Sequence, residues 1–159
     1  MLKRAVLVSV FACGIVLSTA AEERGVTAFL GRVAAEHPSV KWDAKSVVEG
    51  DFDGSHQRSF AALGYTDGRV IVAVGRKAAD GSVIAQYLEF GIDRARQDAI
   101  CSVPARLEVH PLTCADDGEP LPGCKEAPGV SGLSLDDGEC DPINMYWDHS
   151  RKHMAWWRN

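Results

Sequence analysis

The segment Arg69-Val70-Ile71-Val72-Ala73-Val74-Gly75 constrains the fold more than any other part of the chain. Successive side chains of a strand point to opposite faces, so Val70, Val72 and Val74 share one face and Ile71 and Ala73 the other. Both sets are apolar. Such a strand must be central in its sheet and covered on both sides, so a sheet with one solvated face is excluded for this region. Other runs with strand character surround it: Ser46 to Val48, Ser59 to Tyr65, Val83 to Ile92, Ala99 to Val103 and Arg106 to Leu112. Asp67-Gly68 and Asp80-Gly81 separate neighbouring runs, and Asp-Gly is a strong hairpin signal. The spacing predicts an antiparallel meander.

One cover for that strand is a helix. Val26, Phe29, Leu30, Val33 and Ala34 recur at i, i+3, i+4, i+7 and i+8, the spacing of one helical face, and predict a helix over Glu22 to His37. Glu22 and Glu23 would sit at the positive end of its dipole. Pro38 biases the residue before it out of the helical region and closes the element.

The chain ends in a hairpin. Ile143 to Trp147 leads to a polar turn over Asp148 to Lys152, and His153 to Trp157 returns. Ile143, Met145 and Trp147 share the core face with Met154 and Trp156 across the turn, while Tyr146 and Trp157 point the other way. Aromatic residues beside cations are typical of binding hot spots. With Arg151, Lys152 and Arg158 close in sequence, Tyr146, Trp157 and Arg151 are candidate partner-binding residues.

The first residues read as an address rather than as structure. Lys3 and Arg4 precede an apolar run from Ala5 to Leu17, small residues follow at Ser18 to Ala21, and then come Glu22 and Glu23. This is the pattern of a cleaved secretory signal peptide over residues 1–21, leaving residues 22–159 as one α+β domain in the periplasm or outside the cell. No segment reaches the roughly 18 apolar residues of a transmembrane helix. Cys13 lies inside the leader, and the bulky Phe11 before it argues against a lipidation site.

Removal of the leader leaves Cys101, Cys114, Cys124 and Cys140. An even count in an exported chain reads as two disulfides, and without any Cys-x-x-Cys pair zinc is disfavoured. Three pairings are open. The favoured one joins Cys114 to Cys124 around Pro120, Pro122 and Gly123, with Cys101–Cys140 as the second bridge.

The net charge of −5 argues against a nucleic-acid partner, which selects for a basic face. The acids concentrate late: Glu108 to Asp141 holds nine of them against the single Lys125 and reads as loop-rich. Asp116-Asp117-Gly118-Glu119 and Asp136-Asp137-Gly138-Glu139 are two copies of one tetrapeptide. Each is a turn signal. Asp116, Asp117, Asp136 and Asp137 are also candidates for holding a basic partner.

The most specific motif is Gly50-Asp51-Phe52-Asp53-Gly54-Ser55-His56-Gln57-Arg58-Ser59, followed by an apolar strand. It resembles the calcium loop of FG-GAP and VCBS-type β repeats over about twelve residues. Asp51 and Asp53 match the first two carboxylate positions. Ser55 and Ser59 stand where further acids are expected, and His56 replaces a glycine. The resemblance implies a metal set of Asp51, Asp53, Ser55 and Ser59. Calcium takes six to eight hard oxygens, and two carboxylates with two hydroxyls make a weak set. The favoured reading is a loop that kept its shape without a cofactor, with calcium as the alternative.

The layout as a whole (leader, front helix, degenerate Asp-x-Asp loop, β meander, Tyr-Trp-Asp hairpin) resembles small exported bacterial proteins such as periplasmic lysozyme inhibitors and immunity proteins. That resemblance implies a non-catalytic binding protein directed at a cell-wall hydrolase or toxin. The sequence carries no Gly-x-Ser-x-Gly, His-Glu-x-x-His or phosphate loop. A secreted hydrolase would need a site built from scattered acids, and a calcium-stabilised module is the third reading. The expected fold is α+β: a helix on a mainly antiparallel sheet of about six to eight strands, closing towards a sandwich or barrel, with the C-terminal third stapled by disulfides.

Overall fold

The computed structural model describes residues 16–78 and 82–158, and side chains from residue 22 onward except Lys77. Most of the leader read over residues 1–21, including Cys13, lies outside the described residues, as does the second hairpin signal at Asp80-Gly81. The backbone of 16–21 continues the helix towards its N-terminus: α1 spans Val16–Glu36.

Eleven strands follow among the described residues. β1 (Lys41–Gly50), β2 (Ser59–Thr66), β3 (Arg69–Lys77), β4 (Val83–Ile92) and β5 (Ala99–Ile100) form one sheet in chain order. Its pairs are antiparallel except the last, where β5 runs parallel to β4. A second sheet has the order β11-β10-β9-β6, from β6 (Arg106–Pro111), β9 (Ser131–Asp136), β10 (Ile143–Asp148) and β11 (His153–Trp157). β7 (Ala115–Asp116) and β8 (Glu119–Pro120) make a small separate ribbon. The result, among the described residues, is a strand-rich, curled half-barrel with one helix. It is α+β with β predominating.

β3 sits where its doubly apolar pattern requires. Val70, Val72 and Val74 enter one core with Leu63 and Phe90 of their own sheet and Leu133, Leu135, Ile143 and Met145 of the other. Ala73 lies on the opposite face, against Phe29 and Val33 of the helix. Phe29 and Val33 are fully buried, Leu30 is half-buried and Ala34 is exposed, so the contact stripe is narrower than the apolar periodicity suggested. The helix comes close because the sheet offers small residues beneath it. A Cβ at Gly75 would stand 2.6 Å from the Phe29 ring. The helix stops where Pro38 requires, with His37 donating its N–H to the Val33 carbonyl at 2.9 Å.

Several expectations need correction. β1 is ten residues long, not the three of Ser46–Val48, because a register shift between Asp43 and Val48 breaks its alternation. Only Ala99–Ile100 of the Ala99–Val103 run is strand. The segment read as loop-rich contains β9, whose Gly132, Leu133, Ser134 and Leu135 are all buried. The terminal hairpin has its expected register, with Tyr146 opposite Ala155 and Trp147 opposite Met154. Trp156 shares the inner face with Met154 as expected, but at its rim: it stays 39% exposed with its ring edge-on to Phe90 at 5.8 Å.

Candidate partner-binding surface

Three loops meet at one end of the sheets: the Asp51 loop, the β10–β11 turn and the segment closed by Cys114 and Cys124. Gly54 lies against His149 of the turn, and Ser131 donates its N–H to the Asp51 carbonyl at 2.8 Å. Among these, the Cys114–Cys124 segment is closed by a disulfide at its base.

Cys114 pairs with Cys124, and Cys101 with Cys140. Inside the shorter loop, Ala115 pairs with Pro120 and Asp116 with Glu119, leaving Asp117-Gly118 as a two-residue turn. Both turn residues have positive φ, 47° and 86°, the geometry of a type I′ hairpin turn for which Asp-Gly is suited. The tip, Asp117 to Pro120, is exposed. Asp116 is half-buried, and its Oδ1 is buried without a hydrogen-bond partner. Behind the tip, Cys114 donates its N–H to Glu126 at 2.6 Å and Leu121 donates to the Cys114 carbonyl at 2.9 Å. The segment is a short, covalently closed finger with Asp117 and Glu119 at its end.

The finger is seated on β10 by Tyr146 and by Asp148, which sequence reasoning read only as a turn residue. Gly123 adopts φ +69°, and a Cβ there would collide with Asp148 Oδ1. The Gly123 carbonyl accepts the His149 N–H at 2.9 Å. The Asp148 side chain is only 2% exposed. Its Oδ1 accepts the Ser150 N–H at 2.8 Å, the Ser150 hydroxyl at 2.5 Å and the Arg151 N–H at 3.1 Å. The Ser150 hydrogen bond leads the causes that hold the Asp148 carboxyl below the usual carboxylate range. The signal in the sequence was Asp148-His149-Ser150, an acid followed two residues later by a hydroxyl, which is a local turn motif. Which backbone would rest on it was not readable.

Tyr146 does not stand on an open face. It is 5% exposed, and its hydroxyl donates to the Pro122 carbonyl at 3.0 Å. Burial raises its pKa. The outer side of the hairpin is covered here by the finger's base, so Tyr146 is a seat for the finger and not a free aromatic. Trp157 shares that outer side, paired with Asn144, and is half-buried. Arg151 is exposed, with its Nε 3.7 Å from Asp148 Oδ2. Arg158 ties the end of β11 to β5, donating to the Asp141 carbonyl at 2.7 Å and the Ala99 carbonyl at 2.5 Å.

The two tetrapeptide copies do different work. Asp136 pairs with Arg106 at 2.5 Å and accepts the Gly138 N–H at 2.7 Å. Asp137 accepts the N–H groups of Glu139 and Cys140 on one oxygen and of Cys101 on the other. Burial pushes the Asp137 carboxyl up, but these backbone donors outweigh it and hold the carboxyl below its ordinary value. Both acids of the second copy are engaged around the Cys101–Cys140 bridge. In the first copy, on the finger, Asp117 and Glu119 are exposed while Asp116 is half-buried.

In the Asp51 loop, Gly54 and His56 adopt positive φ. Asp51 Oδ2 accepts the His56 N–H at 2.9 Å, and Asp53 Oδ1 accepts the Ser55 N–H at 3.1 Å. Asp51 Oδ1 is buried without a partner. Ser59 is 2% exposed, inside the start of β2. Among the described residues no group of three or more His, Cys, Asp or Glu side chains is arranged to hold a metal. One oxygen of each carboxylate thus accepts a backbone N–H of its own loop.

No family model, curated protein or solved structure matches the chain. Among the described residues no helix is long and apolar enough to cross a membrane.

Proposed function

We propose that the chain is an exported, non-catalytic binding protein that presents the Cys114–Cys124 finger to a protein with a basic surface. The most concrete version is an inhibitor or immunity protein directed at a cell-wall hydrolase. One observation carries this reading: an acidic turn is closed by a disulfide at its base and seated on β10 by Tyr146 and Asp148. A segment already ordered before contact loses little conformational freedom on binding, which is how a small surface gains affinity. Exposed Asp117 and Glu119 steer a basic partner and disfavour acidic ones. Arg151 and the half-buried Trp157 flank the finger's seat as secondary contacts. The leader and the two disulfides support placement in the periplasm or outside the cell, where such bonds persist. The two sheets share one core, which supports reading them as a sandwich-like scaffold for the loop end.

The test is affinity capture by the immobilised, disulfide-intact protein from envelope extracts of its own and competing bacteria, with an Asp117→Lys/Glu119→Lys variant beside it. A single basic wall hydrolase, held near stoichiometry by the wild type and lost by the variant at unchanged melting temperature, is the expected result. Turnover of wall saccharides or peptides by the protein itself, with no captured partner, would replace this reading with the enzyme reading.

The calcium-stabilised module is the second reading, and the unpartnered, buried Asp51 Oδ1 is the observation that favours it. Our reading is that the loop is a turn whose carboxylates serve its own backbone. Millimolar calcium is then expected to leave the melting temperature unchanged. A rise of several degrees, lost in Asp51→Ala, would establish the ion site.

A further inference from the structure

At the other end of β1 the strands open on a groove of about 550 Å³. β1 runs ten residues from Lys41 to Gly50, so this groove lies roughly 30 Å from the Asp51 loop. Its size is in the range of roughly 300–1,000 Å³ of small-molecule sites, and the mouths of curled sheets are a recurrent place for them. Lys41 and Asp43, two apart on the strand and so on one side of it, stand with Trp42 between them over a wall of Tyr65, Thr66, Ile92, Val103 and Pro104.

The groove is held in place from both sides. Next to it the register of β1 slips between Asp43 and Val48. That irregularity is fixed by hydrogen bonds: Asp43 Oδ1 accepts the Lys45 N–H at 2.9 Å, and the Asp43 carbonyl accepts the Ser46 hydroxyl at 2.7 Å. The Ser46 oxygen in turn accepts the Leu63 N–H at 2.7 Å. Bulges of this kind re-aim side chains beside functional sites. On the facing side the Tyr65 hydroxyl lies 3.3 Å from both the carbonyl and the N–H of Ala105, which ties the ring to the segment carrying Val103 and Pro104. Val103 is 48% exposed, an apolar side chain held at the surface of the groove.

The lining selects a chemistry. One ammonium and one carboxylate leave the lining without net charge, so net charge draws neither an anion nor a cation to it. A ligand that both donates and accepts hydrogen bonds, and that also shows apolar C–H faces, meets all of the wall. We propose that this groove binds a neutral saccharide bearing N-acetyl groups: hydroxyls to Lys41 and Asp43, a sugar face on Tyr65, and acetyl methyls on Ile92, Val103 and Pro104. The site is independent of the finger and stands or falls separately from it.

The experiment is an NMR titration of the disulfide-intact protein with chitotetraose, with a length-matched tetra-alanine peptide in parallel and Val103→Arg as the blocking variant. Val103 is exposed enough that the variant keeps its fold, which its melting temperature checks. Expected are saturable shifts at Lys41, Tyr65, Ile92 and Val103 with a dissociation constant near about 1 mM, weakened at least about tenfold by Val103→Arg. No shifts up to about 20 mM, a span that would reveal even binding weaker than −3 kcal/mol, would overturn the proposal. So would shifts confined elsewhere, unaltered binding by Val103→Arg, or tighter binding of the peptide at the same residues.

Discussion

Gly123 and Asp148 are the residue pair on which the finger depends. With Gly123 at φ +69° and no room for a Cβ, Gly123→Ala combines backbone strain with a collision against a buried carboxylate oxygen. The expected cost is about 2–3 kcal/mol in denaturant unfolding, with the finger released from β10. The same substitution at Gly118 strains the backbone but its Cβ would meet nothing within 4 Å, so it is expected to cost less. The acids give a pH signature. Asp148 and Asp137 both have carboxyls held below their ordinary value in the folded chain. A depressed folded pKa gives stability that is complete above the unfolded value, about 3.9, and lost as pH falls through the folded one. The melting temperature is therefore expected to fall steeply below about pH 4, and the slope to be shallower in Asp148→Asn. A slope unchanged in that variant would show that Asp148 has no part in acid unfolding. None of this was legible beforehand. Asp148 read as a turn residue in the sequence, and its partner backbone arrives from 25 residues upstream, at Gly123.

At the scale of elements, local pattern and long-range pairing separate cleanly. β4 and the β10–β11 hairpin were readable because alternation and a polar turn are local signals. β9 was not, because Ser131-Gly132-Leu133-Ser134-Leu135-Asp136 has no β-branched residue and sits between acidic turns. It is a strand because β6 and β10 pair on either side of it. The helix was readable as an amphipathic stripe, but which part of the stripe touches depends on Gly75 and Ala73 beneath it. Phe29→Ala is expected to cost about 3–4 kcal/mol by emptying that contact, measurable by urea unfolding. The disulfides rank by loop length. Cys101–Cys140 spans 39 residues and Cys114–Cys124 spans 10. Loop-closure entropy gives about 4 kcal/mol for the first and about 3 kcal/mol for the second. A Cys101→Ser/Cys140→Ser variant is therefore expected to lose more global stability. Cys114→Ser/Cys124→Ser is expected to lose the finger's order, seen as faster amide exchange at Asp117 and Glu119. Equal exchange in both variants would mean that the seat on β10 alone orders the finger.

For the whole molecule, the doubly apolar strand β3 explains the architecture: α1 covers one side, the second sheet covers the other, and loops collect at the two open ends. The layers were legible because burial is written in the composition of β3. The ends were not, because a binding surface is made of residues from distant parts of the chain that share no local period. Tyr146 shows this most clearly: its place on the hairpin was right, but the finger that covers it is brought there by folding. We propose that the finger, held rigid by its bridge and its seat, is what a basic partner recognises. The decisive experiment is capture from envelope extracts by three forms of the protein: wild type, Asp117→Lys/Glu119→Lys and Gly123→Ala. Expected are one basic wall hydrolase on the wild type, none on the charge-reversed finger, and weakened capture on the unseated one. The same partner held equally by all three would show that binding lies elsewhere on the molecule.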